Sequence, residues 1–260
     1  MFTRQLFHIA GVDGCKAGWL VAIASAESRN ETDTYYQFNL KDVFIADTFA
    51  KVLSKTGDCI LICIDIPIGL SDDKPRECDL VARKLLRGPR ASSVFPAPIR
   101  PCLVSENYET ASKICFERTN KKLSKQSFAL LKKIREVDDL MTPAIQRRIR
   151  EIHPEISFRA LNNRKPVEQN KKTVPGQACR HKLLQGIFTN MNDVLSRSPT
   201  IGFVMDDAFD AFVAAWTAGQ AVTGKVKTLP DNPKLDAKGL RMEILCPASP
   251  TLLNDDFAGS

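Results

Sequence analysis

Histidine is scarce: the 260 residues contain three, at positions 8, 153 and 181. A metal centre built on several imidazoles is therefore excluded. The eight cysteines include no Cys-x-x-Cys pair and no framework-like spacing, so they read as free thiols of a reducing compartment and the chain as cytoplasmic. No apolar run approaches the ~20 residues of a membrane-spanning helix, which argues against a membrane protein. The first ten residues carry Arg4 and His8 and no long apolar stretch, so a signal peptide is not expected. A Walker-type glycine loop, a Gly-x-Gly-x-x-Gly turn after a strand and a zinc-protease helix are all missing. Ser92 and Ser93 have no His near them in sequence, which leaves a catalytic triad without positive support.

What is present is an ordinary globular composition, 43% hydrophobic and 26% charged, in a chain long enough to bury a core without staples. Lys and Arg exceed Asp and Glu by 37 to 30, a net charge of +7. The excess is local. Between Pro75 and Arg148 there are 16 basic and 8 acidic residues, against 21 and 22 in the rest. Such a segment is attracted to polyanions through counterion release, or is a solvated helical surface.

Hydrophobic patterning predicts strands over Leu6–Val12, Gly18–Ala24 and Thr34–Leu40, with a turn at Asp13–Ala17. It predicts a helix over Val43–Ser54 and a buried central strand over Cys59–Ile64. Helices follow over Arg76–Arg87, Tyr108–Arg118 and Gln126–Asp139, with a Pro- and Ser-rich ordered loop at Arg90–Pro101. Ile149–Phe158 reads as a strand broken at Pro154. Ala178–Phe188 and Asp206–Ala218 read as helices, the latter stopped by Gly219, and the tail from Thr228 as extended. Three hairpin-linked strands, a helix and a buried strand imply an α/β fold with a mixed sheet. A basic, mostly helical insertion at about 75–148 follows the fourth strand, within one domain spanning 1–260.

Several acids stand at the ends of these apolar runs. Asp13 closes the first, Asp65 the central one, and Asp207 and Asp210 share a helix face. Glu151 and Glu155 flank Pro154. Each has an ordinary structural use: Asp13 in a turn, Asp65 before Pro67, Asp206 or Asp207 as a helix N-cap. Asp210, one turn into a helix among Ala211, Ala214, Ala215 and Ala218, needs a partner if buried. Converging carboxylates would repel one another and suit Mg²⁺ or Mn²⁺, which take oxygen ligands.

At these residues the chain resembles a known family. The stretches are Gly11-Val12-Asp13-Gly14-Cys15 with Gly18-Trp19, Ile64-Asp65-Ile66-Pro67-Ile68-Gly69-Leu70, Arg76 with Cys78-Asp79 and Ala82-Arg83, and Arg90 with Ser92-Ser93-Val94-Phe95-Pro96-Ala97-Pro98. Further along come Glu136-Val137-Asp138, Glu151 with His153-Pro154-Glu155, Lys171-Lys172-Thr173 with Gly176 and Arg180, and Asp207 with Asp210-Ala211. They resemble, in order and nearly end to end, the domain-of-unknown-function family number 429, classed as predicted nucleases of the RNase H-like fold. Two departures, Ala17 where Gly is common and Leu245 where an aromatic is common, lie beside the acids.

The resemblance implies an RNase H-like fold in which Asp13, Asp65 and Asp210 gather at one edge. It implies phosphodiester hydrolysis of nucleic acid with Mg²⁺ or Mn²⁺ on Asp13, Asp65, Asp207 and Asp210, aided by Glu151. Glu155 or His153 would shuttle a proton, although His153 is equally a structural histidine. Arg76, Arg83, Arg90, Ser92 and Ser93, and separately Lys172, Thr173 and Arg180, would grip phosphates or form internal networks. Two rival functions share this core: ATP-dependent phosphotransfer of the sugar-kinase and actin-like kind, and nucleic-acid binding without catalysis.

Overall fold

Leu6–Cys15 (β1) and Gly18–Ser28 (β2) form a long antiparallel hairpin, paired from Leu6 with Glu27 to Cys15 with Gly18. Its turn is only Lys16-Ala17. Asp13 therefore lies inside β1 rather than at its end, a correction to the predicted five-residue turn. Gly18 has φ 138°, open to glycine alone. In this computed structural model, residues 5–28, 36–198 and 202–249 are described. The other elements are Tyr36–Ala46 (β3), Phe49–Lys55 (α1), Leu61–Ile64 (β4), Glu77–Leu86 (α2), Tyr108–Thr119 (α3), Lys125–Ala129 (α4), Leu131–Leu140 (α5) and Pro143–Gln146 (α6). They continue with Ile149–Glu151 (β5), Pro154–Leu161 (α7), Val174–Gln185 (α8), Met191–Arg197 (α9), Met205–Val222 (α10), Val226–Leu229 (β6) and Ile244–Pro247 (β7).

Five strands form one sheet in the order β3-β2-β1-β4-β5. β2 runs antiparallel to both its neighbours, while β4 is parallel to β1 and β5 parallel to β4.

Several boundaries move from their predicted places. Val43–Ala46 belong to β3, not to a helix: they pair with β2 beyond an irregularity at Ile23/Ala24. The helix begins only after Thr48, whose hydroxyl accepts the Lys51 N–H. The expected strand over Ile149–Phe158 is three residues of β5, after which Pro154 starts a helix, where a proline suits the first turn. Gln126–Asp139 is two helices meeting at Leu130. Positions 34 and 35 of the third predicted strand lie outside the described residues.

The chain divides into two compact units. The first runs up to Asp65, then Arg148–Lys227, and from Leu245 on. Its core is one contiguous cluster in which α10 covers β1, β2 and β4. On α10 the predicted stop at Gly219 is overturned, because the helix continues to Val222. Gly219 is there for packing: a Cβ would come within 2.2 Å of Phe38 Cε1. Gly11 of β1 is tighter still, since a Cβ would lie 1.9 Å from the Ala211 carbonyl oxygen and 2.2 Å from the Ala215 nitrogen. Both obstacles are backbone and neither can turn away. Gly11→Ala is expected to cost about 3 kcal/mol or more, read as the shift in urea midpoint.

The second unit comprises Ile66–Arg147 and Thr228–Ile244. It holds α2–α6 and most of the basic excess, with Lys113, Lys121, Lys122, Lys125 and Lys132 exposed. Arg100 joins its two segments, its guanidinium pairing with Asp138 and Asp236. Asp236 also accepts the N–H groups of Leu70 (2.9 Å) and Leu240 (2.9 Å). Among the described residues no helix is long and apolar enough to cross a membrane.

Candidate active site: a buried carboxylate cluster with one lysine

Strand alternation brings the first acid to α10. Gly11 and Asp13 are two residues apart and share one face of β1, the face that meets Ala211 and Ala215 at Gly11. The missing side chain at Gly11 lets the helix backbone descend onto the strand, and Asp210 comes down with it. The second acid follows from parallel pairing. Val12 pairs with Ile64, and the Asp65 N–H donates to the Val12 carbonyl at 3.1 Å. Asp65, the residue just after β4, thus stands beside Asp13 of β1, about 5 Å away across the strand spacing. Glu151, level with Ile64 on β5, continues the same edge.

The electrostatics record the convergence. Burial pushes the Asp13 carboxyl well above the usual range, and the charges of Asp210, Asp65 and Asp207 push it further, with Lys171 acting in the opposite sense. Asp65 is raised to about 8 by burial, then by Asp210, Glu151 and Glu155, against Lys171. Asp210, 1% exposed, is raised by burial but held to about 6 by Lys171. Six carboxylates therefore act on one another in the company of two cations, Lys171 and Arg180. Crowded buried carboxyls of this kind hold protons more tightly, as these upward shifts record, and a further cation would relieve them in the same sense.

Lys171 is the residue that the reading of acids alone passed over. Its Nζ is 2.5 Å from Asp210 Oδ2. Burial disfavours its ammonium, yet Asp210, Asp13 and Asp65 outweigh burial and keep it charged well above the ordinary lysine range. It sits in the loop between α7 and α8, where hydrophobic periodicity has nothing to say.

Other predicted site residues take structural places. Asp207 is not the N-cap; that position is Val204, whose N–H Asp207 accepts from within the first turn (3.1 Å). It nonetheless stays within electrostatic reach of Asp13. His153 caps α7, its Nδ1 accepting the Glu155 N–H at 3.2 Å. Glu155 pairs with Arg180 at 2.6 Å, and the same guanidinium donates to the carbonyls of Gln169 and Gly176, both at 3.1 Å. Arg180 is fully buried, so the structure corrects its reading as a phosphate grip. Thr173 caps α8 through the Gly176 N–H, and Lys172 is exposed.

In the second unit Arg76 is buried against Asp79 at 2.5 Å and the carbonyls of Ile68 and Gly69. It too is internal, which matches the internal network among its two sequence readings and not the phosphate grip. Arg83 donates to the Val94 carbonyl, and the hydroxyls of Ser92 and Ser93 to the carbonyls of Pro89 and Arg90. These bonds build the loop that carries Arg90.

A hard divalent cation matches the donor set by chemistry, since every candidate ligand is a carboxylate oxygen. By spacing the set is not closed: among the described residues no three His, Cys, Asp or Glu side chains stand close enough to hold one metal ion.

A five-stranded sheet ordered 3-2-1-4-5, with only strand 2 reversed and a helix laid across the first strand, defines an RNase H-like protein. The sequence matches the family described as protein of unknown function (DUF429) over residues 11–235, and the chain belongs to that family. Among solved structures, that of Thermus thermophilus RuvC is similar with a TM-score of 0.37 and 10% identity, over 85% of this chain and 97% of the other. A comparison with curated proteins finds no match.

Proposed function

We propose that the chain is a nuclease that hydrolyses nucleic-acid phosphodiesters with Mg²⁺ or Mn²⁺ at the Asp13, Asp65 and Asp210 cluster. The observation that supports it is the approach of α10 to β1 at Gly11, which sets Asp210 against Asp13 beside Asp65. Asp13, Asp65 and Asp210 would hold the cation, with Glu151 and Asp207 in reach to supplement them. A divalent cation bound there would lower the pKa of an attacking water and steady the leaving oxygen. The chain itself contributes buried carboxyls, a helix fixed at backbone contact and a lysine paired with Asp210. The basic helical unit, a proposed insertion in an RNase H-like domain, adds positive charge suited to a polyanion, with Arg90, Lys172 and Thr173 as further phosphate contacts.

The purified protein, given RNA, DNA, hybrids and branched DNA in turn, is expected to cleave at least one of them. That activity should appear with Mg²⁺ or Mn²⁺ and vanish with EDTA. Absence of cation-dependent cleavage on every substrate rejects the proposal.

A further inference from the structure

We infer that the exposed ring of Phe95 is a stacking plate for an unpaired base of single-stranded nucleic acid, with Lys84 and Arg87 beside it taking the flanking phosphates. The inference rests on the nucleic-acid part of the proposed function and adds which strand form the second unit recognises. It involves neither a metal ion nor cleavage.

Phe95 is 39% exposed, yet the backbone that carries it is tied on both sides. The Val94 carbonyl accepts the Arg83 guanidinium. The Pro96 carbonyl accepts the Ser127 hydroxyl at 2.8 Å, and the Ala97 N–H donates to Asp79 Oδ2 at 2.9 Å. Asp79 is itself held by buried Arg76. The exposed part of the ring contributes nothing to the core. Such a mount instead presents the ring in one orientation, so that a flat partner loses little freedom in docking on it.

The same bonds lay residues 94–97 along α2, because Asp79 and Arg83 are one turn apart and both face that segment. Next round the helix, Leu80, Lys84 and Arg87 follow at spacings of four and three, all three exposed. Among the described residues neither Lys84 nor Arg87 is in an ion pair. From Leu80 to Ser105 the chain has five cations and no acid. Two of the five, Arg83 and Arg100, hold internal partners.

Cations without acids select an anion, and a ring and a leucine beside them select one that also has apolar faces. A nucleic acid has both. Its base faces are open only where a base is unpaired, since a duplex stacks them and offers its phosphates alone. Phe116 of α3 is a natural control: it is 50% exposed, with Glu117 beside it paired to Lys113.

The probe is a fluorescein-labelled oligonucleotide, single-stranded or as its duplex, followed by anisotropy in EDTA so that nothing is cleaved. The single strand is expected to bind more tightly than the duplex. Phe95→Leu should weaken the single strand about tenfold and leave the duplex unchanged, whereas Phe95→Trp should bind at least as tightly as the unaltered protein. Phe116→Leu should have no effect. Lys84→Gln combined with Arg87→Gln should weaken both forms and reduce the salt slope by roughly one to two. A strand carrying iodouracil, irradiated on the unaltered protein, should give its principal adduct at Phe95. Equal single-strand binding by a folded Phe95→Leu, or a principal adduct elsewhere, overturns the inference and leaves the nuclease reading to be judged by cation-dependent cleavage. Binding of neither form removes the nucleic-acid reading as well. Phe95-dependent attachment to phosphatidylserine vesicles, without Phe95-dependent oligonucleotide binding, would assign the surface to a membrane and equally overturn the inference.

Discussion

Asp13→Asn is expected to raise the melting temperature of the cation-free protein while lowering cation-dependent cleavage by at least about a hundredfold. Asp13 is 7% exposed, and burial together with Asp210 and Asp65 opposes its ionisation. The native carboxylate is therefore a destabilising group that folding tolerates. Asparagine has nearly the same shape, and its Oδ1 retains the acceptor position now used by the Gly14 N–H at 2.8 Å. It removes the repelling charge and, with it, a ligand of the proposed cation. A gain of about 1–2 kcal/mol would lift the melting temperature by roughly 2–8 °C. The reverse response is expected at Glu155. Glu155→Gln deprives fully buried Arg180 of its ion-pair partner, a loss of about 3–5 kcal/mol. The two acids lie in the same cluster, so opposite signs in thermal melts would separate a ligand from a structural anchor. A drop in stability for Asp13→Asn, or cleavage that survives it, would contradict this assignment.

Much of this arrangement was legible in the sequence, for identifiable reasons. Continuous apolar runs marked β1, β2 and β4, because strands buried on both faces carry no polar alternation. Asp13 and Asp65 were visible as acids placed against such runs, where nothing in strand packing asks for them. Asp210 was visible as a charge among alanines. The misplaced elements failed for physical causes too. Val43–Ala46 have a spacing compatible with a helix, and only pairing with β2 decides for a strand. Gly219 looks like a helix stop until Phe38 is set against it. Arg180 stayed open between a phosphate grip and an internal network because burial of a guanidinium depends on partners distant in sequence, Glu155 lying 25 residues from Arg180. Lys171 carries no periodicity at all. Its only mark was membership of the Lys171-Lys172-Thr173 stretch, within which charge alone cannot tell the inward lysine from the exposed one.

The same charges fix how stability depends on pH. Unfolded, Asp13, Asp65 and Asp210 titrate near 4. Folded, Asp65 is raised to about 8, Asp210 to about 6, and Asp13 well above its ordinary value. Between those limits the folded chain binds more protons than the unfolded one, so stability falls as pH rises. The contribution is fully present near pH 4 and is lost progressively up to pH 8. With EDTA present, the melting temperature is expected to drop by roughly 5 °C or more between pH 5.5 and 8.5. With Mg²⁺ or Mn²⁺ the decline should flatten, because a cation on these oxygens stabilises the folded state where protons no longer do. Asp13→Asn should shrink the slope without metal, and the proposed cleavage should rise over the same interval as protons vacate the proposed ligands. A flat or rising profile in EDTA would mean that the three carboxylates do not share one buried field, and the proposed cation site would lose its physical basis.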